Sequence, residues 1–360
     1  MSMLQIINIP VFKLKGYTFI TINFNLKEKM KVAVFSSKPY DQKFFERYNQ
    51  NYDHELAFFD TNLNVQTTNL TRDFDTVCVF VNDKLDQKVI KKLSENKVKH
   101  IALRCAGFNN VDLEAAKEYN IKVTRVPAYS PQAVAEHALS LILTLNRKTH
   151  KAYNRIKEGN FSLNGLMGFG LKDKTVGVIG TGKIGIAFCK IMLGLGCKVI
   201  AYDVQPQEEL IKLGVDYLPL DELYKNADII SLHCPLVPAT KHIINDESVS
   251  KMKDHVMIIN TSRGALIHTE DVIKNLKEKK IGYLGIDVYE QEEEIFFEDR
   301  SEQIIEDDTL IRLISFPNVL ITSHQAFLTQ EALTEIAQTV LQNIEDFKQG
   351  KQLKNQVEAG

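Results

Sequence analysis

Arg263, Glu292 and His324 are the residues of this chain whose types and order could carry acid–base chemistry on a small polar substrate. A histidinium can hand a proton to an alkoxide as a ketone is reduced. A carboxylate beside it orients the imidazole and favours its charged form. A guanidinium can grip a substrate carboxylate through two hydrogen bonds and polarise the neighbouring carbonyl. On residue types alone a second reading stands beside this one. His324 would then be a hydrogen-bonded histidine at a strand end, and Glu292 part of the solvated acidic stretch Glu290–Glu294.

The clearest spacing signal is Val178-Ile-Gly180-Thr-Gly182-Lys-Ile-Gly185. A GxGxxG run alone is weak, and a purely structural glycine turn is its alternative. Here it follows a strand-like run, opens a helical pattern and meets Asp203 at the end of the next strand, 23 residues after Gly180. The glycines permit a tight turn and close backbone approach to a pyrophosphate, with Lys183 and Ile184 between the second and third of them. Asp203 can accept from an adenosine ribose 2′-hydroxyl and would repel a 2′-phosphate. No Arg follows it directly, so the expected cofactor is NAD rather than NADP.

These groups need a scaffold. From Lys31 onward short β-rich runs alternate with helical patterns, which calls for parallel sheets covered by helices. A first set of strands reads 31–35, 55–59, 76–81, 100–104 and 122–126, with helices near 40–49, 86–96 and 112–119. A second set of six reads 175–180, 198–203, 228–233, 256–261, 283–288 and 319–324, a Rossmann unit. Ligands of open α/β sheets bind outside the carboxyl ends of the strands. There the second set delivers Gly180, Asp203, His233-Cys234-Pro235, Thr261 with Arg263, Asp287 with Glu292 beyond it, and His324. The expected fold is α/β, with two doubly wound parallel-sheet domains and a cleft between them. Residues 30–128 plus 328–360 form the smaller, flavodoxin-like substrate domain. It is discontinuous because the last helix, about 329–347, returns to it. Residues 129–327 form the NAD-binding Rossmann domain. Between the two, Ser130 can cap and Pro131 can open a helix to about Lys148 that is apolar nearly all round. Such a helix must be buried, and a core helix or a subunit interface both fit it.

Composition narrows the function classes. Of 360 residues 44% are apolar and 25% charged, enough for full cores. Balanced charge, 44 basic against 46 acidic residues, gives no footing for nucleic acid or acidic lipid. No apolar run reaches the ~20 residues of a membrane span. Five cysteines (Cys78, Cys105, Cys189, Cys197, Cys234) without a CxxC pair suit a reduced, cytoplasmic setting. Residues 1–29 fit poorly with the rest. Met30 as functional start and a dispensable extension is the expected reading; a short hairpin over 11–22 is the other. Surplus histidines (His54, His100, His137, His150, His242, His255) lack metal-ligand spacing, so no metal and no catalytic role is expected of them.

The motif residues resemble the D-specific 2-hydroxyacid dehydrogenase family, most closely its fermentative D-lactate dehydrogenase branch. The resemblance runs from about Met30 to about Gly350 through 102–112, 127–137, the Gly180–Gly185 loop, 230–235, 260–264, 285–290 and 323–327. It implies Arg263 as substrate-binding arginine, His324 as acid/base, and Glu292, five residues after Asp287, as its partner. It further implies that Asp287 holds the nicotinamide carboxamide, that His233, Cys234 and Pro235 line the adenosine side, and that Thr261 contacts the nicotinamide end. The backbone at Ala106-Gly107 would meet the substrate carboxylate, while Tyr129 and a bulky Phe327 wall a pocket for a small, methyl-bearing substrate. The implied reaction is NADH-dependent, reversible reduction of pyruvate to D-lactate, with domain closure excluding water, in a cytoplasmic homodimer or homotetramer. Two other readings are a dehydrogenase of branched or aromatic 2-oxo acids and, in a different class, an NADH-sensing binding protein. His268 departs from the acid many relatives carry there; it should open a helix, with Thr269 as substitute cap.

Overall fold

The central strands are short apolar runs buried on both faces, the composition that parallel sheets under helices require, while edge strands such as Glu55–Phe58 and Val319–Ile321 are only half-buried. The computed structural model describes residues 29–292 and 295–359, so the expectations for 1–28, including a hairpin at 11–22, lie outside the described residues. The chain divides into two units: one holds the described residues up to Ala102 with 109–124 and 341–359, the other 103–108 and 125–340.

In the first unit, β1 (Lys31–Val34), β2 (Glu55–Phe58), β3 (Thr76–Val79), β4 (His100–Leu103) and β5 (Lys122–Thr124) form one sheet in the order β2-β1-β3-β4-β5. Helices α1 (Pro39–Asn49), α2 (Gln87–Glu95) and α3 (Leu113–Glu118) connect them. Asp86 and Asp112 cap the last two by accepting from Val89 N and Ala115 N at 2.9 and 3.0 Å. Every strand and helix expected over 31–126 is present, to within a few residues. His100 is sealed in this unit, its ring stacked on Phe347 (4.6 Å) and Nε2 2.8 Å from Thr124 Oγ1. Burial pushes its pKa down to about 3.

The second unit carries α4 (Pro131–Arg147) and α5 (Thr149–Lys157). There follow β6 (Thr175–Ile179), α6 (Lys183–Gly194), β7 (Lys198–Tyr202), α7 (Glu208–Lys212), β8 (Asp216–Tyr217), α8 (Leu220–Asn226) and β9 (Ile229–Leu232). The remainder are α9 (Asp246–Ser250), β10 (Val256–Asn260), α10 (Thr269–Lys277), β11 (Ile281–Ile286), α11 (Asp308–Ile314), β12 (Val319–Ile321) and the first half of α12 (Gln330–Lys348), whose residues from Leu341 onward belong to the first unit. The sheet order is β12-β11-β10-β9-β6-β7-β8. Strand order reverses between β6 and its neighbours β7 and β9, the switch point where α/β sheets bind ligands. The expected six strands are corrected to seven: β8, at the edge, has two residues, too few to register as an alternating run.

Helix α4 begins as expected, with Ser130 Oγ accepting from Ala133 N at 3.2 Å. Ala135, Ala138, Leu141, Ile142 and Leu145 bury into a cluster with Val176, Val178, Phe188, Met192 and Ile259, so this face serves the unit's own core. Helix α5 was not anticipated. It buries no residue, and Tyr153 and Ile156 on it are more than half exposed.

Candidate active site

Gly180 follows β6 at φ +95°, and any side chain there would meet the Cys234 backbone; at Gly185 it would meet the Gly180 carbonyl. The loop is therefore drawn tight against the start of the β9 loop. Gly182 is the N-cap of the 12-residue α6 and brings no side chain to cap it, so the first-turn amides keep their hydrogen-bonding capacity for an anion. Asp203, just past β7, accepts from Thr181 N at 2.5 Å and Gln205 N at 2.9 Å. The short strand missed from sequence also serves the loop, because Tyr217 donates its hydroxyl to Thr181 Oγ1 at 2.9 Å.

Beyond β9, the His233 ring lies 4.8 Å from Phe188 with Nε2 2.8 Å from Ser231 Oγ, and burial drives its pKa down to about 3, so it stays neutral. Burial pushes the Cys234 thiol up to about 11, while Pro235 is exposed. After β10, Thr261 Oγ1 is buried and finds no hydrogen-bond partner among the described residues. An uncapped helix N-terminus, an acid at the ribose position and an orphaned hydroxyl together fit a dinucleotide.

Arg263 is placed by a small turn: Asn260 Nδ2 donates to the Arg263 carbonyl at 2.8 Å, and Asn260 Oδ1 accepts from Ser262 N at 3.0 Å. Its guanidinium lies directly over Gly107, where a methyl group would overlap Nη2. The 103–108 segment is itself held by Arg125, which donates from Nη1 to the Ala106 carbonyl at 2.9 Å and stacks over Phe108 at 5.1 Å. Arg125 was not singled out from sequence, since its partners lie 17 and 19 residues away. Tyr129 joins this group. Burial first, with Cys105 and Asp287 adding and Arg263 opposing, raises its pKa to about 12. Its ring meets Phe327 edge-on at 6.2 Å.

His324 Nδ1 lies 2.8 Å from Glu292 Oε1, with both side chains mostly buried. The carboxylate can only accept, so Nδ1 donates and Nε2 is the nitrogen left for other work. Glu292 is anchored in turn by Tyr289 N, which donates to Oε2 at 2.8 Å. His324 sits in the left-handed region, at φ +52°. Asp287 is fully buried, and its carboxylate accepts from Thr322 Oγ1 (2.5 Å), Gln325 N (2.9 Å) and Ala326 N (2.9 Å). It therefore organises the turn that carries His324, and a carboxamide would have to share an acceptor already supplied with three donors. His137 also reaches this group, with Nε2 3.0 Å from Thr322 Oγ1 and 3.3 Å from Asp287 Oδ1.

His268 is indeed the N-cap position of α10, but its side chain does not cap. The acid comes from Glu290, which accepts from Thr269 Oγ1 (2.9 Å) and Thr269 N (3.3 Å) and pairs with His242 at 2.7 Å. Thr269 is thus the capped residue rather than the cap. These hydrogen bonds, with the His242 charge, hold the Glu290 carboxyl below its usual range despite partial burial. Among the described residues no His, Cys, Asp and Glu cluster is arranged to hold a metal, and no helix is long and apolar enough to cross a membrane.

Comparison with known proteins agrees with this geometry. Residues 139–326 match the family described as "D-isomer specific 2-hydroxyacid dehydrogenase, NAD binding domain". A 2-hydroxyacid dehydrogenase homolog of Haemophilus influenzae is 54% identical, over 91% of this chain and 98% of that protein. A D-lactate dehydrogenase of Escherichia coli is 51% identical, over 91% of this chain and all of that one. The solved pyruvate reductase of Chlamydomonas reinhardtii superposes with a TM-score of 0.87 at 44% identity, covering 91% of this chain and 98% of its own. By these matches the chain belongs to the D-isomer-specific 2-hydroxyacid dehydrogenases, NAD-dependent oxidoreductases.

Proposed function

We propose that this enzyme reduces pyruvate to D-lactate, reversibly, with Arg263, Glu292 and His324 as its catalytic set. The observation that carries the reading is the His324–Glu292 pair at the ends of β11 and β12, beside the β10 strand that delivers Arg263. NADH, when bound along the Gly180–Gly185 loop and Asp203, supplies the hydride. Arg263 and the backbone amides of Ala106 and Gly107 hold the substrate carboxylate. His324 keeps its Nδ1–H on Glu292 and gives its Nε2 proton to the developing alkoxide, leaving a neutral imidazole and an unchanged carboxylate. Phe327 and Tyr129 close on the carbon beyond the carbonyl and favour a methyl group. Relatives named D-lactate dehydrogenase and pyruvate reductase support both substrate and hand.

We take 30–128 with 328–360 as the substrate-side domain and 129–327 as the NAD-binding domain. The setting is cytoplasmic, in line with five buried cysteines and no CxxC pair. The protein works as a homo-oligomer. Beyond α5, Phe161, Leu163 and Met167 are each at least 74% exposed, an apolar run that a second copy would cover.

The test is NADH oxidation by the purified protein with pyruvate, phenylpyruvate and a branched 2-oxo acid, the product being assayed for chirality. His324→Ala should lower turnover roughly 10²–10⁴-fold while NADH still binds. Near-normal turnover of that variant removes His324 from the mechanism. Preference for a larger 2-oxo acid overturns the substrate, and binding without turnover favours a sensor.

A further inference from the structure

We propose that His137 is a positioning residue that sets the geometry of His324 through Thr322 and Asp287. The proposal rests on the acid/base reading of His324. The directions of the hydrogen bonds carry it. A carboxylate has no proton to give, so the 2.5 Å contact between Thr322 Oγ1 and Asp287 Oδ1 uses the single hydroxyl hydrogen of Thr322. Thr322 Oγ1 can then only accept from His137 Nε2 at 3.0 Å. This fixes a His137 proton on Nε2, which faces Thr322 Oγ1 and, at 3.3 Å, Asp287 Oδ1, and makes a one-way chain from His137 into Asp287, through Thr322 and directly.

The chain ends on the turn that holds His324. Asp287 accepts from Gln325 N and Ala326 N through its side chain, and from His324 N through its backbone carbonyl at 2.7 Å. The turn needs such holding, because His324 occupies left-handed φ, a conformation that side chains avoid unless their surroundings over-determine it. His137 stands on α4, whose neighbouring residues are locked in the unit's core, so it ties the turn to a rigid element. With the tie cut, the turn can relax toward ordinary φ and swing the imidazole away from Glu292. Misplacement by about an ångström is enough to lower turnover by one to two orders of magnitude.

The test compares kcat, KM for pyruvate, the NADH dissociation constant by fluorescence and the melting temperature in four variants beside His324→Ala. His137→Leu should lower kcat roughly tenfold or more, with NADH binding within about threefold of wild type. His137→Gln, which offers an N–H at similar reach, should recover kcat to within about threefold. Thr322→Val should lower kcat by no more than His137→Leu, since His137 keeps its 3.3 Å reach to Asp287 Oδ1, and the double variant should be no worse than His137→Leu alone, because both act on the same chain. Should leucine not be tolerated, His137→Asn repeats the cut with a polar side chain whose donor falls short. Unchanged kcat in His137→Leu, no recovery in His137→Gln, or multiplying losses in the double variant overturns the proposal while leaving the acid/base reading intact. Near-normal turnover by His324→Ala overturns both.

Discussion

On the proposed role of Arg263 at the substrate carboxylate, Gly107→Ala should separate substrate binding from cofactor binding and folding. The added methyl group would fall on Arg263 Nη2, well inside van der Waals contact. Ordinary separation of such atoms is about 3.5 Å, so the guanidinium must withdraw by roughly 1 Å. It has room to do so only by giving up its present seat, since Arg263 Nη1 also donates to the Ser262 carbonyl at 2.7 Å. A displacement of about 1 Å in a substrate-orienting group costs roughly 10² in rate, or about 2.7 kcal/mol of transition-state stabilisation.

Stability should move the other way. Gly107 is not in the left-handed region, so alanine fits its backbone without strain. Glycine to alanine at such a position stabilises by about 0.4–1 kcal/mol, through the unfolded chain. The assay is steady-state kcat/KM for pyruvate, with NADH affinity by fluorescence and a thermal melt on the same preparation. The expected pattern is kcat/KM down about a hundredfold, NADH affinity unchanged and the melting temperature level or higher. A kcat/KM within threefold of wild type would show that the Arg263–Gly107 contact does not set the carboxylate site. Loss of NADH affinity in parallel would show a general collapse of the site instead.

Asp203→Ala should relax the preference for NADH over NADPH, and it also removes the acceptor of Thr181 N, so NADH affinity should fall as well; an unchanged cofactor ratio means the ribose is read elsewhere. His100 is depressed to about 3 in the folded chain against 6.5 unfolded, so between these values the unfolded state binds the extra proton. Its contribution is present above pH 6.5 and is lost as the pH falls toward 3, at up to about 1.4 kcal/mol per pH unit. Urea unfolding at pH 7 and 4.5 should therefore show the stability gap between wild type and His100→Asn narrowing by roughly 2–3 kcal/mol; a constant gap would mean that His100 is not sealed.

What could be read from the sequence was what local pattern encodes. The glycine loop, its strand and Asp203 sit within one stretch of the chain, Thr175 to Asp203, and each has one physical reason. Arg263, Glu292 and His324 could be nominated because parallel strands deliver their following residues to one edge, whatever the loops between do. The residues that hold these groups were invisible for the complementary reason. His137 meets Thr322 across 185 residues, Tyr217 meets Thr181 across 36, and Arg125 meets Ala106 across 19. No periodicity records such pairs. The cap of α10 shows the same limit: His268 betrays a missing acid, yet its replacement, Glu290, arrives from another strand's loop.

Asp287 carries this argument one step further. Its position alone suggests an acceptor pointed at a ligand, while its surroundings show an acceptor satisfied by the chain. A buried carboxylate is costly unless several donors meet it, and here a hydroxyl and two amides do so within the turn that presents His324. The acid therefore converts its own burial into the shape of that turn. Replacing it with asparagine would put an NH2 or a weaker acceptor against the same donors and leave at least one amide poorly paired. The resulting loss should fall on His324 placement, and so on kcat, more than on NADH affinity. A variant Asp287→Asn that loses NADH binding while keeping its turnover at saturation would assign the carboxylate to the cofactor instead of the turn.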